Sequence, residues 1–248
     1  MGFSEKFGVE SIDGKVLCSC ANCAGRCFWF ILIQILIRRN NIMMQDDCNG
    51  FSNKVLLLIN EIDSYESQND FPSKDKTIKI IIGDDVYPSK FIQNTSTNNI
   101  PFYKNNGFNH VAFLTKNYTL DLLSILSILF DSTDKAAEVL KAINCGIIPD
   151  DKFAKYLLEK KNTILINSKG NVQNIKRLIT NYPNNIILFV GSQSHKRCSK
   201  FATRYLSLYH CSPKNYAQHS YDCISSYFCH DSKGFANYGN VKIKDFKI

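Results

Sequence analysis

The order of apolar and polar positions changes character near residue 50. From there on, helical and strand-like periods alternate. Residues 51–65 place Val55, Leu58, Ile59 and Ile62 at helical spacing. The run TIKIII at 77–82 is β-rich and breaks at Gly83. Helices are expected over Leu120–Phe130, over 133–143 with Thr133 as N-cap, and over 151–160, 172–180, 194–205 and 221–228. Strands are expected at 163–166, at Asn185–Val190 (NIILFV) and at 206–209. Four strands alternating with helices imply an α/β fold, a three-layer α/β/α arrangement around a central, mainly parallel four-stranded sheet.

Residues 1–50 read differently and are expected to form an N-terminal extension to a domain over 51–248. They carry Cys18, Cys20, Cys23 and Cys27, then the apolar run FWFILIQILI at 28–37, then Met43 and Met44. The apolar run is ten residues long, too short to cross a bilayer as a helix. Mixed charges ahead of it and Arg38–Arg39 behind it do not suit a secretory signal. A start of translation at Met43 or Met44, or a short appended helix, would each account for this segment. The four cysteines are packed too closely for an ordinary zinc module, which separates two ligand pairs by a longer loop, so no metal is expected.

Charge sharpens the division. The chain carries a formal net charge of +8, yet residues 1–50 hold five basic and five acidic side chains. The whole excess therefore lies in residues 51–248. Between Gly191 and Lys214 stand Lys196, Arg197, Lys200, Arg204 and Lys214, with no acid. Such a stretch suits a polyphosphate partner, or is simply a solvated basic helix face. The ten cysteines show no paired spacing beyond the N-terminal run, which favours a reduced, intracellular protein with no membrane partner.

In an open parallel sheet, ligands collect where strands end at their carboxyl edge. Four expected strand ends carry polar clusters: Gly83-Asp84-Asp85, Asn167-Ser168, Gly191-Ser192-Gln193 and His210-Cys211-Ser212-Pro213.

These clusters resemble the motifs of the uracil-DNA glycosylase family, in family order. Gly83-Asp84-Asp85-Val86-Tyr87-Pro88 is similar to the water-activating Gly-Gln-Asp-Pro-Tyr segment. Ile164-Leu165-Ile166-Asn167 is similar to the Leu-Leu-Leu-Asn strand, and Leu188-Phe189-Val190-Gly191-Ser192 to the strand and loop that clamp a phosphate. His210-Cys211-Ser212-Pro213 is similar to the His-Pro-Ser-Pro motif, and the tail at 241–246 to the family's terminal segment.

The resemblance implies a uracil-DNA glycosylase-like fold and excision of uracil from DNA in base-excision repair, without a cofactor. Asp85 would orient water and stabilise the cationic sugar, and His210 would hydrogen-bond the departing base. Asn167 would read the uracil edge, Tyr87 would exclude thymine's methyl group, and Phe102 (with Phe108 second) would stack on the base. Gly191, Ser192 and Ser212 would contact phosphates, and Lys196, Arg197 and Lys214 would attract DNA. Each residue also has a plainer role. Asp85 closes a turn, Asn167 ends a strand, His210 is a structural histidine, and Tyr87 and Phe102 pack.

The chain departs from the family at Asp84, Val86, Cys211 and Lys214, where Gln, Pro, Pro and a Leu wedge are usual. The Tyr87-Pro88 and Ile100-Pro101-Phe102 segments resemble poxviral uracil glycosylases, which also serve as polymerase processivity subunits; that origin would place the protein in the host cytoplasm. The alternative is thus a glycosylase-fold DNA-binding or processivity component with little catalysis. An unrelated doubly wound nucleotide enzyme is disfavoured by the lack of a Gly-x-Gly-x-x-Gly or Walker sequence.

Overall fold

The computed structural model describes residues 11–12, 15–16, 50–66, 72, 76–86, 94–115, 120–208 and 235–248. The chain separates into two compact units, Met1–Asn49 and Gly50–Ile248. In the first, β1 (Ser11–Ile12) pairs antiparallel with β2 (Lys15–Val16). The cysteine run, the apolar run at 28–37 and Met43–Met44 lie outside the described residues.

The second unit is built on a five-stranded sheet. Its strands are β3 (Ile78–Gly83), β6 (Thr163–Asn167), β7 (Asn185–Val190), β8 (Tyr205–Leu208) and β9 (Ala236–Tyr238), in the order β6-β3-β7-β8-β9. The first four are mutually parallel and β9 runs antiparallel to β8. Continuous apolar runs make β3, β6 and β7: Ile80, Ile81, Ile82, Ile164, Ile166, Ile187, Leu188 and Phe189 are all buried, as expected of parallel strands covered on both faces. The expected four strands are therefore all present, and a fifth completes the sheet. It is the three-residue segment Ala-Asn-Tyr, partly exposed, which shows no alternation and becomes a strand only because β8 offers it a ladder.

Before β6 the chain makes a separate antiparallel pair, β4 (Asn94–Ser96) with β5 (His110–Thr115), enclosing α2 (Pro101–Asn105). Tyr103 of α2 is fully buried, and its hydroxyl accepts the Leu165 N–H at 3.0 Å. This satisfies a donor on β6, the outermost parallel strand.

Among the described residues the remaining helices form two groups. One comprises α1 (Asn53–Asp63), α3 (Leu120–Phe130), α4 (Thr133–Asn144) and α5 (Asp150–Glu159). Here α3 packs on α4, and α1 touches α4 and α5. The other is α6 (Val172–Asn181) packed on α7 (Ser192–Cys198). From β3 the chain reaches β6 through α3, α4 and α5, then returns across β3 to β7 and β8 through α6 and α7. Right-handed crossovers in opposite directions put the two groups on opposite faces, giving an α/β/α arrangement.

Local signals shift some boundaries. The N-cap of α4 is Ser132, whose hydroxyl accepts the Lys135 N–H at 3.2 Å, one residue before Thr133. The helix expected over 194–205 is α7 followed by a 3-10 turn, Ser199–Phe201, after which Ala202 is extended. The helix expected at 221–228 lies outside the described residues. Among the described residues no helix is long and apolar enough to cross a membrane.

Candidate functional site at the switch point of the sheet

The strand order β6-β3-β7-β8 reverses direction between β3 and β7. That point, at the carboxyl ends, is where a doubly wound sheet leaves an open crevice. Asp84 and Asp85 follow β3, and Gly191 and Ser192 follow β7, so two of the sequence clusters flank it directly.

Asn167 belongs to the same edge. It is the register partner of Gly83 across the β3–β6 ladder and is almost fully buried. The loop after it is tied to the loop after β3. The Ser168 N–H donates to Gly83 O and the Lys169 N–H to Asp84 O, both at 2.9 Å. The backbones bearing Asp85 and Asn167 are thus joined.

Gly83 is required by what lies over it. A Cβ there would stand 2.7 Å from Asn167 Oδ1 and 2.8 Å from Phe113 Cζ. The amide of Asn167 and the ring of Phe113 therefore converge on the same backbone atom. Phe113, in β5, has φ of 63°. Among the described residues the other non-glycine positions with positive φ are an Asp and two Asn, types that tolerate this region, whereas a phenylalanine there is strained by about 1–3 kcal/mol.

Asp85 is half-exposed. Its Oδ2 accepts from Lys169 Nζ at 2.5 Å, and its Oδ1 accepts the Val86 N–H at 2.9 Å. The carboxylate is held by its own turn and by a lysine from the neighbouring loop. Both ion-pair partners are well exposed, so the pair orients more than it stabilises.

Asp84, which stands where the resembled family has Gln, binds Arg197. The guanidinium donates from Nη1 to the Asp84 carboxylate and, at 3.0 Å, to the Ser168 hydroxyl. Arg197 was expected to face DNA as a diffuse cation. Instead it ties α7 to the loops after β3 and β6.

Other expected contacts are redistributed. Phe102 is 1% exposed; its ring packs edge-on to Tyr103 (centroids 5.8 Å apart) and tilted against Tyr182 (6.1 Å). It is a core residue, because Pro101 starts a helix that turns the next side chain inward. Phe108 is buried as well. Among the described residues Phe113, 5% exposed, is an aromatic side chain at the strand-end site that sequence reasoning missed; no element was assigned to 94–115, although HVAFLT carries β-branched and aromatic residues. Gly191 adopts φ of 100° and donates its N–H to Leu208 O at 2.8 Å, so that amide serves the sheet. Ser192 and Lys196 are exposed. Tyr87, His210, Ser212 and Lys214 lie outside the described residues.

Behind this edge, His195 sits edge-on to Phe189 and Phe235 and tilted against Tyr205, all within 5.4–5.6 Å. Its Nε2 is buried without a partner, and desolvation holds the imidazole below its ordinary value. Among the described residues, no three His, Cys, Asp or Glu side chains gather in a metal-sized group. Scans against protein-family models, curated proteins and solved structures give no match to this chain, and the observations stand as a doubly wound α/β sheet with a carboxylate, an amide and an aromatic ring at its switch point.

Proposed function

We propose that the second unit is a uracil-DNA glycosylase-like hydrolase that removes uracil from DNA in base-excision repair inside the cell. The observation that carries this reading is the convergence at the end of β3: Gly83 pairs with Asn167, lies under the Phe113 ring and is followed, after Asp84, by Asp85. An amide that can donate and accept beside an aromatic face suits a planar base with a mixed hydrogen-bonding edge. A carboxylate two residues away suits a reaction that builds positive charge on a sugar.

In the proposed reaction the C1′–N1 bond breaks and its electron pair leaves with the base. Asp85 stabilises the cationic sugar and orients a water, whose oxygen bonds to C1′ and whose proton passes to the carboxylate. Asn167 reads the uracil edge, and Phe113 replaces Phe102 as the stacking ring. The Phe113 ring is itself only 5% exposed and closes over Gly83, so a base meets it at its rim beside Asn167. His210 is assigned to the developing charge on the base, Tyr87 to exclusion of thymine, and Ser192 and Ser212 to phosphates. Water is the nucleophile, and the scheme uses no cofactor.

The second reading is a DNA-binding or polymerase-processivity component on the same fold. The Lys169–Asp85 contact favours it, because an occupied carboxylate is less available to orient water. Single-stranded DNA carrying one uracil separates the two. Alkali-labile strand breaks that vanish in Asp85→Asn support the hydrolase, whereas retained DNA without breaks supports the binding component.

A further inference from the structure

We propose that the face formed by α6, α7 and the Ser199–Phe201 turn docks a nucleic-acid strand, at a surface separate from the switch-point site. From Lys160 through Tyr221 the sequence contains no aspartate or glutamate. Three cations of this stretch are taken by carboxylates from outside it: Lys161 by Glu61, and Lys169 and Arg197 by Asp85 and Asp84 from the loop after β3. Lys176, Arg177, Lys196, Lys200 and Arg204 are exposed and make no ion pair among the described residues. A layer that concentrates positive charge without carboxylates creates a field that a polyanion relieves.

Geometry narrows the class of polyanion. Two ammonium groups lie over the Phe201 ring, Lys176 Nζ 5.8 Å and Lys200 Nζ 5.2 Å from its centroid. These lysines come from α6 and from the 3-10 turn, so tertiary packing assembles the cluster. Beyond it, Arg204 lies against the turn at Gly239, next to Tyr238. Tyr238 stacks on Tyr205 with centroids 5.9 Å apart and rings 18° from parallel, and it is 59% exposed. Aromatic rings alternating with unpaired cations match the chemistry of a single strand, whose bases stack and whose phosphates pair. A bilayer surface fits less well. The large exposed hydrophobic side chains of the described residues are Leu56, Leu57, Val86 and Tyr238, and none is on α6 or α7.

The surface leads away from the proposed chemistry. Ser192 begins α7 at the carboxyl edge of the sheet, Lys196 and Lys200 follow along it, and Tyr205 opens β8 at the opposite end. A strand on this path would be held outside the site whether or not a uracil occupies it. The inference therefore does not depend on catalysis.

The test is fluorescence anisotropy of the full chain with a uracil-free single-stranded deoxyoligonucleotide over a range of salt concentrations. Lys176→Glu with Lys200→Glu is expected to weaken binding at least tenfold. Lost phosphate contacts at these two positions should lower the salt slope by roughly 1.4, about 0.7 for each. Phe201→Ala is expected to weaken binding about fivefold or more with the slope unchanged, since stacking releases no counterions. Lys54→Glu, on α1, is expected to leave the affinity within about twofold. Lys176→Gln with Lys200→Gln repeats the test with milder changes, and circular dichroism confirms that each variant is folded. Unchanged affinity and slope in both double variants would overturn the proposal. So would equal weakening by Lys54→Glu, or tighter binding to phosphatidylserine vesicles with the same dependence on the two lysines. Because the probe holds no uracil and no bond is cut, an inactive enzyme would leave this result standing.

Discussion

Arg197 of α7 is ion-paired with Asp84, the first residue beyond β3, and the same guanidinium nitrogen lies 3.0 Å from the Ser168 hydroxyl. One side chain thereby fastens three strand-end loops. Both partners are about 30% exposed, so screening limits the pair to about 1 kcal/mol. A double-mutant cycle with Asp84→Asn and Arg197→Gln, read from urea unfolding, should return a coupling of that order. A coupling near zero would mean that the contact does not tie the loops.

Gly83→Ala should be damaging out of proportion to one methyl group. The added Cβ meets an amide oxygen at 2.7 Å and a ring carbon at 2.8 Å, and both belong to side chains with little room to move. Overpacking of this kind costs about 1–3 kcal/mol. If Asn167 and Phe113 do hold the base, displacing them should also lower uracil excision by about 10- to 100-fold. Thermal unfolding and single-turnover excision measure the two effects separately.

Phe102 and Phe113 should separate in the same assays. Phe102→Ala removes a ring from the core and should cost about 3–5 kcal/mol of stability. Phe113→Gly relieves a positive φ while removing the ring, so its loss of stability should be smaller than that of Phe102→Ala. Its loss of excision, measured at a temperature where both variants are folded, should be larger. The reverse order would return the stacking role to Phe102.

His195 should make stability fall in acid. Desolvation by the surrounding rings holds its folded-state value below the unfolded value of about 6.5. The neutral ring's contribution is therefore fully present above the unfolded value and is lost as pH falls through the window beneath it. The urea midpoint should drop between pH 8 and pH 5, and His195→Phe should drop less. Equal drops would show that the ring does not carry this dependence.

Three of the four parallel strands were legible because β3, β6 and β7 are short, largely apolar runs ending in Gly, Asn or a polar cluster, and burial on both faces demands such runs; β8, Tyr-Leu-Ser-Leu, was legible from its leucines, one residue out of register. The gathering of Asp85, Asn167 and Gly191 at one edge of the sheet was legible for the same reason, since it follows from the parallel topology. What escaped depends on partners distant in sequence. Arg197 stands in an acid-free stretch, and its carboxylate comes from 113 positions away. Phe113 carries a backbone conformation that a phenylalanine does not announce. β9 is too short and too polar to show a period, and β8 alone makes it a strand.

The central claim is that Asp85, beside the Gly83–Asn167 pair, promotes cleavage of a glycosidic bond. It is tested most directly by incubating the full chain with a single-stranded oligonucleotide bearing one uracil, then treating with alkali. Breaks should appear at the uracil position with the native protein and fall at least about 100-fold with Asp85→Asn. DNA that is bound but left intact by the native protein, or cut equally by both proteins, would contradict the account.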